Sequence, residues 1–333
     1  MSNTLLSQIH SVISVDVDSM DPDVARRHTS QNQTFCNMTS NQAIMFGELT
    51  RAENVTLIKD AIAYVNNQPN DRRDPTTTLQ DIVDVVTVLL AKRVYPHLQG
   101  KVLTQISPSV AYNVRKTIEY ANKLVSLFEA HGIPKTRLCI KVPATPESLV
   151  ACQLLRKDNI NTSATCVFSV AQAQAAAQAG CSYVIAFFNE LRVHSEPSLW
   201  KEYKDTATEH PASPTIQAII QALKGSETLV MAASIVSVAE VLALVSFRPN
   251  HITISAPILD QLGVLPASDL LPIGNTGPVL PEAGIDYLAK DAVLLKEAFM
   301  KDLEASRRVV DALTIFDSYE MKIKEYIQSI QGA

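Results

Sequence analysis

Several signatures that would settle a function at once are missing from this chain. It has no GxGxxG, no GxxxxGK followed by Ser or Thr, and no HExxH, so dinucleotide, P-loop and common zinc-hydrolase readings have no support. Its five cysteines (Cys36, Cys139, Cys152, Cys166 and Cys181) are scattered and never form a CxxC pair. That suggests neither a disulfide framework nor a zinc site and reads as small buried apolar residues in a reducing compartment. No apolar run approaches the roughly 18 residues of a membrane span, and the N-terminal MSNTLLSQIHSV has no basic n-region ahead of a long apolar core. No basic block exists and the net charge is -5, so nucleic acid is not expected as a partner. The expected compartment is the cytoplasm. The seven histidines are dispersed and read as structural.

What is present is an ordinary globular composition, 47% apolar and 19% charged over 333 residues. Short β-rich runs alternate with helical stretches, the pattern of a parallel sheet with crossover helices. The strand candidates are VISVDVD (Val12 to Asp18), QTFCNMT (Gln33 to Thr39), KVLTQIS after Gly100, the run from Arg137, NTSATCVF, SYVIAFF, TLVMAAS and HITIS. Helices are expected at Asn54 to Val65, Tyr112 to His131, Pro146 to about Lys157, Ile216 to Leu223 and Val238 to Val245, with Thr78 as the N-cap of a long helix after the polar loop NNQPNDRRDPTTT. Gly132 and Pro134 supply a stop signal. Eight strands with intervening helices favour an α/β fold of the (β/α)8 barrel type over a doubly wound sheet, with the site at the carboxyl ends of the strands. The expected organisation is one domain over residues 1–333, with a long loop at about 189–214 holding the sole tryptophan, Trp200, and C-terminal helices at about 281–330 that could close over the sheet.

Two positions stand out chemically. In VISVDVD, Ser14, Asp16 and Asp18 share one strand face. Carboxylates lining a barrel interior would need partners, while on an edge strand they would sit in water. In RLCIKVPAT, Lys141 ends a β-branched run that stops at Pro143. A lysine half-buried there loses hydration, which lowers its pKa and lets the amine attack a carbonyl to form a Schiff base. From this stretch alone, the bland reading, a strand-end lysine snorkelling to solvent, is favoured.

The residues IKVPATPES, followed by TSATCVFSVAQAQAAAQAG, resemble the transaldolase family, in which a strand-four lysine in an I-K-x-x-x-T context forms the Schiff base and a T-x-x-F-S-x-x-Q-A segment carries a catalytic threonine. VDVDSMD, TSNQAI, GKVLTQIS and VMAASIVSVAEVL extend the similarity over nearly the whole chain. The resemblance implies Lys141 as the imine-forming residue, Asp18 as proton shuttle and Thr165 as holder of the catalytic water. It implies Asn41 as an orienter of substrate hydroxyls, although Asn37 fits better when counted from Asp18. Ser163, Phe188 and Ser234 fall at substrate-binding positions.

Departures from the family pattern point away from the ordinary substrate. Gln105 replaces a strand-three glutamate, as in fructose 6-phosphate aldolases, and cannot exchange a proton. Those aldolases add a strand-six tyrosine where this chain has Phe187 and Phe188, and Ser163 replaces an asparagine. The phosphate-binding serine and two arginines are matched by Ala186, Leu191 and Val236, with Arg192 one residue away. Leu and Val cannot give the bidentate grip of Arg; Arg192, Lys201 or His194 could rebuild one. The expectation is a class I, metal-free and cofactor-free aldolase or transferase with Lys141, Asp18, Thr165 and Gln105 as its catalytic set. It would act on a small carbonyl or sugar other than the ordinary pentose phosphates, with a homodimer left open. Three alternatives stand beside it: a genuine transaldolase with a relocated phosphate grip, an imine-based condensation in specialised metabolism, and a binding barrel without turnover.

Overall fold

The computed structural model describes residues 4–30, 33–68, 75–267 and 284–332. In chain order the elements are α1 (Leu5–His10), β1 (Ser14–Asp18), α2 (Pro22–Arg27), β2 (Met38–Thr39), α3 (Gln42–Leu49), α4 (Val55–Asn66), α5 (Pro75–Val94), β3 (Val102–Gln105), α6 (Val114–Ala130) and β4 (Leu138–Pro143). There follow α7 (Pro146–Lys157), β5 (Thr162–Val167), α8 (Val170–Gln178), β6 (Tyr183–Phe187), α9 (Thr206–Glu209), α10 (Ser213–Ala222), β7 (Leu229–Ala233), α11 (Val238–Phe247), β8 (His251–Ser255), α12 (Ala256–Val264), α13 (Ala289–Lys301) and α14 (Leu303–Gln331). The eight strands are parallel and close into a barrel in sequence order, with β1 pairing β8 from Ser14 against His251 to Asp18 against Ser255. This is the expected (β/α)8 barrel with added C-terminal helices.

Two apolar clusters follow from strand alternation. Leu138, Ile140 and Val142 face outward into the large cluster shared with the helices, while Leu103, Cys139, Tyr183, Ile185 and Met231 face the barrel interior. The helix starts are fixed locally: Asn113, Thr145, Ser169 and Ser237 each cap the following helix by accepting a backbone N–H. Gly132, at φ +88°, ends α6 as expected. Gly100 is required by crowding. Its N–H donates to the Cys36 carbonyl at 2.6 Å, and a Cβ there would lie 2.5 Å from Asn37 Oδ1.

Some expectations shift. β2 is only Met38–Thr39, joined by an isolated bridge between Phe35 and Leu98. α5 starts at Pro75, so Thr78 lies within its first turn and is no N-cap; residues 69–74 of the polar loop fall outside the described residues, as does most of the Pro/Gly-rich stretch expected from about residue 266. The loop at about 189–214 is not featureless. It contains two 3-10 turns, Leu191–His194 and Pro197–Leu199, and then α9. α14 crosses the carboxyl-end mouth of the barrel, touching α3, β5 and the turns that follow β3 and β6. Its Ala305, Val309, Ala312, Leu313 and Phe316 join the interior cluster. Among the described residues no helix is long and apolar enough to cross a membrane.

Candidate active site

The barrel interior is polar at two levels. The lower one holds Asp16, which is fully buried. Its Oδ1 accepts from the backbone N–H and side-chain amide of Asn37 at 2.7 and 2.9 Å, and its Oδ2 lies 2.9 Å from His251 Nδ1. The partners that an interior carboxylate needs are therefore present, and the edge-strand alternative for β1 does not hold. Burial still pushes the Asp16 pKa up against those partners. Asp16, Cys36 and His251 bring their ligand atoms within 4.8 Å of one another, but both Asp16 oxygens already have hydrogen-bond partners, so the group is accounted for as a paired plug. Asn37 belongs to this plug, donating also to Tyr183 Oη at 3.4 Å. Asn41 instead caps α3 at the carboxyl end of β2, with its Oδ1 accepting from Ile44 N–H at 3.0 Å. Of the two asparagines left open by the sequence, Asn41 is the one on the level of the mouth.

The upper level is built around Lys141. Strand register places Gln105 and Ser163 beside it on β3 and β5, with Thr165 beside Pro143 one step higher. Lys141 is 3% exposed, which rules out snorkelling, and its Nζ donates to the Ser40 carbonyl at 3.2 Å. Burial lowers its pKa, while the charge of Asp18 and the Cys166 thiol pull it back up. Asp18 Oδ1 accepts from Thr39 Oγ1 at 2.5 Å, and Thr39 is 2.6 Å from Thr253 Oγ1. The amide oxygen of Gln105 and the hydroxyls of Ser163 and Thr165 are buried without hydrogen-bond partners, although the thiols of Cys139 and Cys166 lie beside the two hydroxyls. Orphaned buried polar atoms are uncommon in native proteins. Here three of them lie on β3 and β5, the two strands that flank Lys141.

The T-x-x-F-S-x-x-Q-A segment holds this geometry. Cys166 sits at φ +57° where the β5–β6 register shifts. Gln172 clamps the distortion, donating from Nε2 to the carbonyls of Ala144 and Cys166 at 3.1 and 3.0 Å and accepting from Phe168 N–H at 2.8 Å. In TPES, Thr145 and Ser148 both donate to the Ala111 carbonyl and tie β4 to the loop after β3.

On β6 the structure corrects the side-chain assignment. Ile185 and Phe187 face the interior, Phe187 edge-on to Phe168. Ala186 and Phe188 face outward, and Phe188 stacks on His210 at 3.7 Å. Phe188 is thus not at the site, and Phe187 takes the interior place. Of the candidate phosphate ligands, Arg192 pairs with Glu196 at 3.2 Å on the surface and Lys201 lies over the Tyr203 ring. His194 alone reaches inward, its Nε2 3.0 Å from Ser234 Oγ. Packing lowers its pKa although part of the residue faces solvent, and Asp18 opposes that shift. Ser234 sits at φ +60°, strained for a residue with a side chain; its carbonyl accepts from Asn189 N–H and Nδ2 at 3.1 and 2.9 Å. On the same rim Glu190 pairs with Arg307 of α14 at 2.6 Å, and Arg307 is shared with Glu304 and Asp311. Trp200 Nε1 and Asn189 Nδ2 converge on the buried Glu240 at 2.7 and 2.8 Å, anchoring the long loop to α11.

Sequence reasoning missed Gln42, whose Oε1 accepts from Gln105 Nε2 at 2.8 Å, and the backbone carbonyl of Ser40, which carries no sequence signal. It also missed Glu320. That residue lies on the buried stripe Leu313, Phe316, Glu320, Ile323 and Ile327 of α14, a helical spacing readable in advance.

A closed (β/α)8 barrel with one desolvated amine at its covered mouth defines an enzyme of the Schiff-base aldolase and transferase class. A family model described as transaldolase/fructose-6-phosphate aldolase matches residues 15–305, and the chain belongs to that family, which works without a metal. It is similar to curated proteins named transaldolase. The one from Vibrio cholerae serotype O1 is 28% identical over 264 residues, covering 79% of each chain. That from Methylobacillus flagellatus is 29% identical over 226 residues, 67% of this chain and 69% of its own. That from Shewanella denitrificans is 27% identical over 315 residues, 94% and 93% of the two chains.

Proposed function

We propose that Lys141 forms an imine with a small carbonyl compound in the cytoplasm, and that this imine serves as the electron sink for making, breaking or transferring the adjacent carbon–carbon bond. The observation that carries the proposal is the buried amine of Lys141 between two strands that carry the unpartnered amide oxygen of Gln105 and the buried hydroxyls of Ser163 and Thr165, which have only thiols beside them. Each of these can accept or donate a hydrogen bond to a carbinolamine hydroxyl, a substrate hydroxyl or a water. Asp18, whose field acts on Lys141, takes and returns the proton of the hydroxyl next to the breaking bond. Asn41 orients substrate hydroxyls at the rim.

The substrate we propose carries no phosphate. Val236 stands at one arginine position, and His194 occupies Ser234. Glu190 adds an acid on the rim, and Arg307 is spent on three carboxylates. A phosphate dianion would meet repulsion where it needs donors. The test is intact-mass spectrometry after borohydride treatment with dihydroxyacetone or with fructose 6-phosphate. Dihydroxyacetone should add to the wild type and not to Lys141→Ala, while fructose 6-phosphate should give far less adduct. Equal labelling of the mutant would sink the role of Lys141. Comparable labelling by the phosphorylated sugar would instead favour a transaldolase of the ordinary kind with a relocated phosphate grip.

A further inference from the structure

Gln105 cannot give or take a proton, yet forming and hydrolysing an imine requires one to reach and leave the carbinolamine oxygen. The barrel flank supplies an alternative. Between β3, α3, α5, α6 and α14 lies a cavity of about 20 Å³, lined by Ser40, Gln42, Gln105, Asp84, Tyr120 and Glu320 among others. That volume suits one water, which needs two to four polar partners. The cavity touches the site at two points: Gln105, whose amide oxygen is buried and unpartnered, and Ser40, whose carbonyl accepts from Lys141 Nζ. At the other end Glu320 is 3% exposed, and its Oε1 accepts from Ser107 Oγ at 2.9 Å and Lys324 Nζ at 2.8 Å.

We propose that Glu320, acting through a water held in this cavity against Gln105, is the proton relay for the Lys141 carbinolamine. This rests on the imine reading above. The amine adds to the carbonyl carbon and one nitrogen proton passes to the new alkoxide, giving the neutral carbinolamine. Glu320 then delivers its proton through the water to the carbinolamine hydroxyl, the C–O bond breaks with its electron pair going to the departing water, and the nitrogen lone pair closes the C=N bond. Glu320 is left as a carboxylate. In hydrolysis the same carboxylate takes a proton from the attacking water. Asp18 is then free to serve the carbon–carbon step.

The groups around Glu320 make its carboxyl harder to ionise than an exposed one. Burial raises its pKa and Asp84 on α5 adds to the rise, while Lys324 and Ser107 oppose it. Asp84 is itself hydrogen-bonded to Tyr120, Lys123 and Gln80, so the flank is a connected set of polar groups and not a single stray acid.

The experiment follows Lys141 adduct formation with dihydroxyacetone over pH, quenching with borohydride at intervals and reading intact mass, for wild type, Lys141→Ala, Glu320→Gln and Lys324→Gln. The wild-type rate should fall on the alkaline side as Glu320 deprotonates. Glu320→Gln should lose that limb and slow by about 10²-fold, the usual worth of a general acid, while reaching the same final adduct level. Lys324→Gln removes the strongest interaction holding the Glu320 pKa down and should move the limb to higher pH; Lys324 is about three-quarters buried, its side chain 24% exposed, and an unchanged far-UV spectrum and thermal midpoint would show that the variant keeps the fold. A Glu320→Gln rate and profile equal to wild type would overturn the relay alone, as would an unmoved limb in Lys324→Gln. A wild type with no Lys141-dependent adduct would overturn the imine reading beneath it.

Discussion

At the residue scale, the amine that makes the site is a cost to the fold. Burial depresses the Lys141 pKa, so the unfolded chain binds its proton more readily than the folded one. Above the unfolded value of about 10.4 the lysine is neutral in both states and no proton penalty applies. As pH falls toward the folded value the penalty builds. Lys141→Met, close in length and apolar, should therefore stabilise the protein at neutral pH by roughly 1–2 kcal/mol, in the range of single stabilising replacements, and by less near pH 10. Denaturant unfolding at the two pH values checks this, and equal gains at both would show that burial of the charge is not the origin. Gly100 gives the opposite case. A methyl there collides with Asn37 Oδ1 and the Cys36 carbonyl, both attached to the Asp16 plug, so Gly100→Ala should cost about 1–3 kcal/mol, as overpacking does, read by the same measurement. Lys141 is legible in the sequence through the family resemblance of IKVPATPES and TSATCVFSVAQAQAAAQAG, since the run closed by Pro143 alone favours a lysine reaching solvent. The pairing of Asp16 with His251 is not, since the two lie 235 positions apart and meet only on barrel closure.

At the element scale, the long loop after β6 and helix α14 together make the lid. Trp200 ties the loop down through the buried Glu240, which also accepts from Asn189 and from the Val236 N–H. Losing a hydrogen bond to a charged group costs about 1.5–3 kcal/mol, and here the cost should fall on loop closure. Trp200→Ala should raise amide exchange over residues 191–209 and slow adduct formation, with little change in exchange at β4 and β5; unchanged protection in the loop would mean Trp200 is no anchor. That eight strands exist is readable from the alternation of β-rich and helical runs, but strand register is readable only where the two faces differ in polarity. In SVDVD the alternation puts Asp16 and Asp18 on the face opposite Val15 and Val17, and barrel closure decides that this face is the interior. In YVIAFF both faces are apolar, as in most buried parallel strands, and a one-residue slip exchanges inside for outside at no visible cost in pattern. This is why Phe188 could be expected at the site when Phe187 is there. The loop's own turns were illegible for a different reason: they are held by distant partners, Glu240 and Ser234, and not by local propensity.

At the scale of the whole molecule, the question is whether the barrel mouth accepts an anion. Net charge of -5 disfavours anions only at long range and is screened beyond about 8–10 Å, so the local rim decides. On it Glu190, Glu304 and Asp311 surround Arg307, Arg308 is held by Glu304, and His194 fills the Ser234 hydroxyl. An anion bound at 100 times its Kd would stabilise the fold by about 2.7 kcal/mol, enough to move a thermal midpoint by several degrees. Inorganic phosphate should instead leave the wild-type midpoint within about 1 °C of its value in chloride at matched ionic strength, a shift worth about 0.7 kcal/mol for a chain of this length. A double variant, Val236→Arg with Glu190→Gln, restores one guanidinium and removes one repelling carboxylate, and it should acquire a phosphate-dependent rise together with fructose 6-phosphate labelling at Lys141. A wild type already protected by phosphate would show that the donors have been relocated and not lost. A double variant that stays indifferent would place the block elsewhere, in the ring of His194 standing where the anion has to sit.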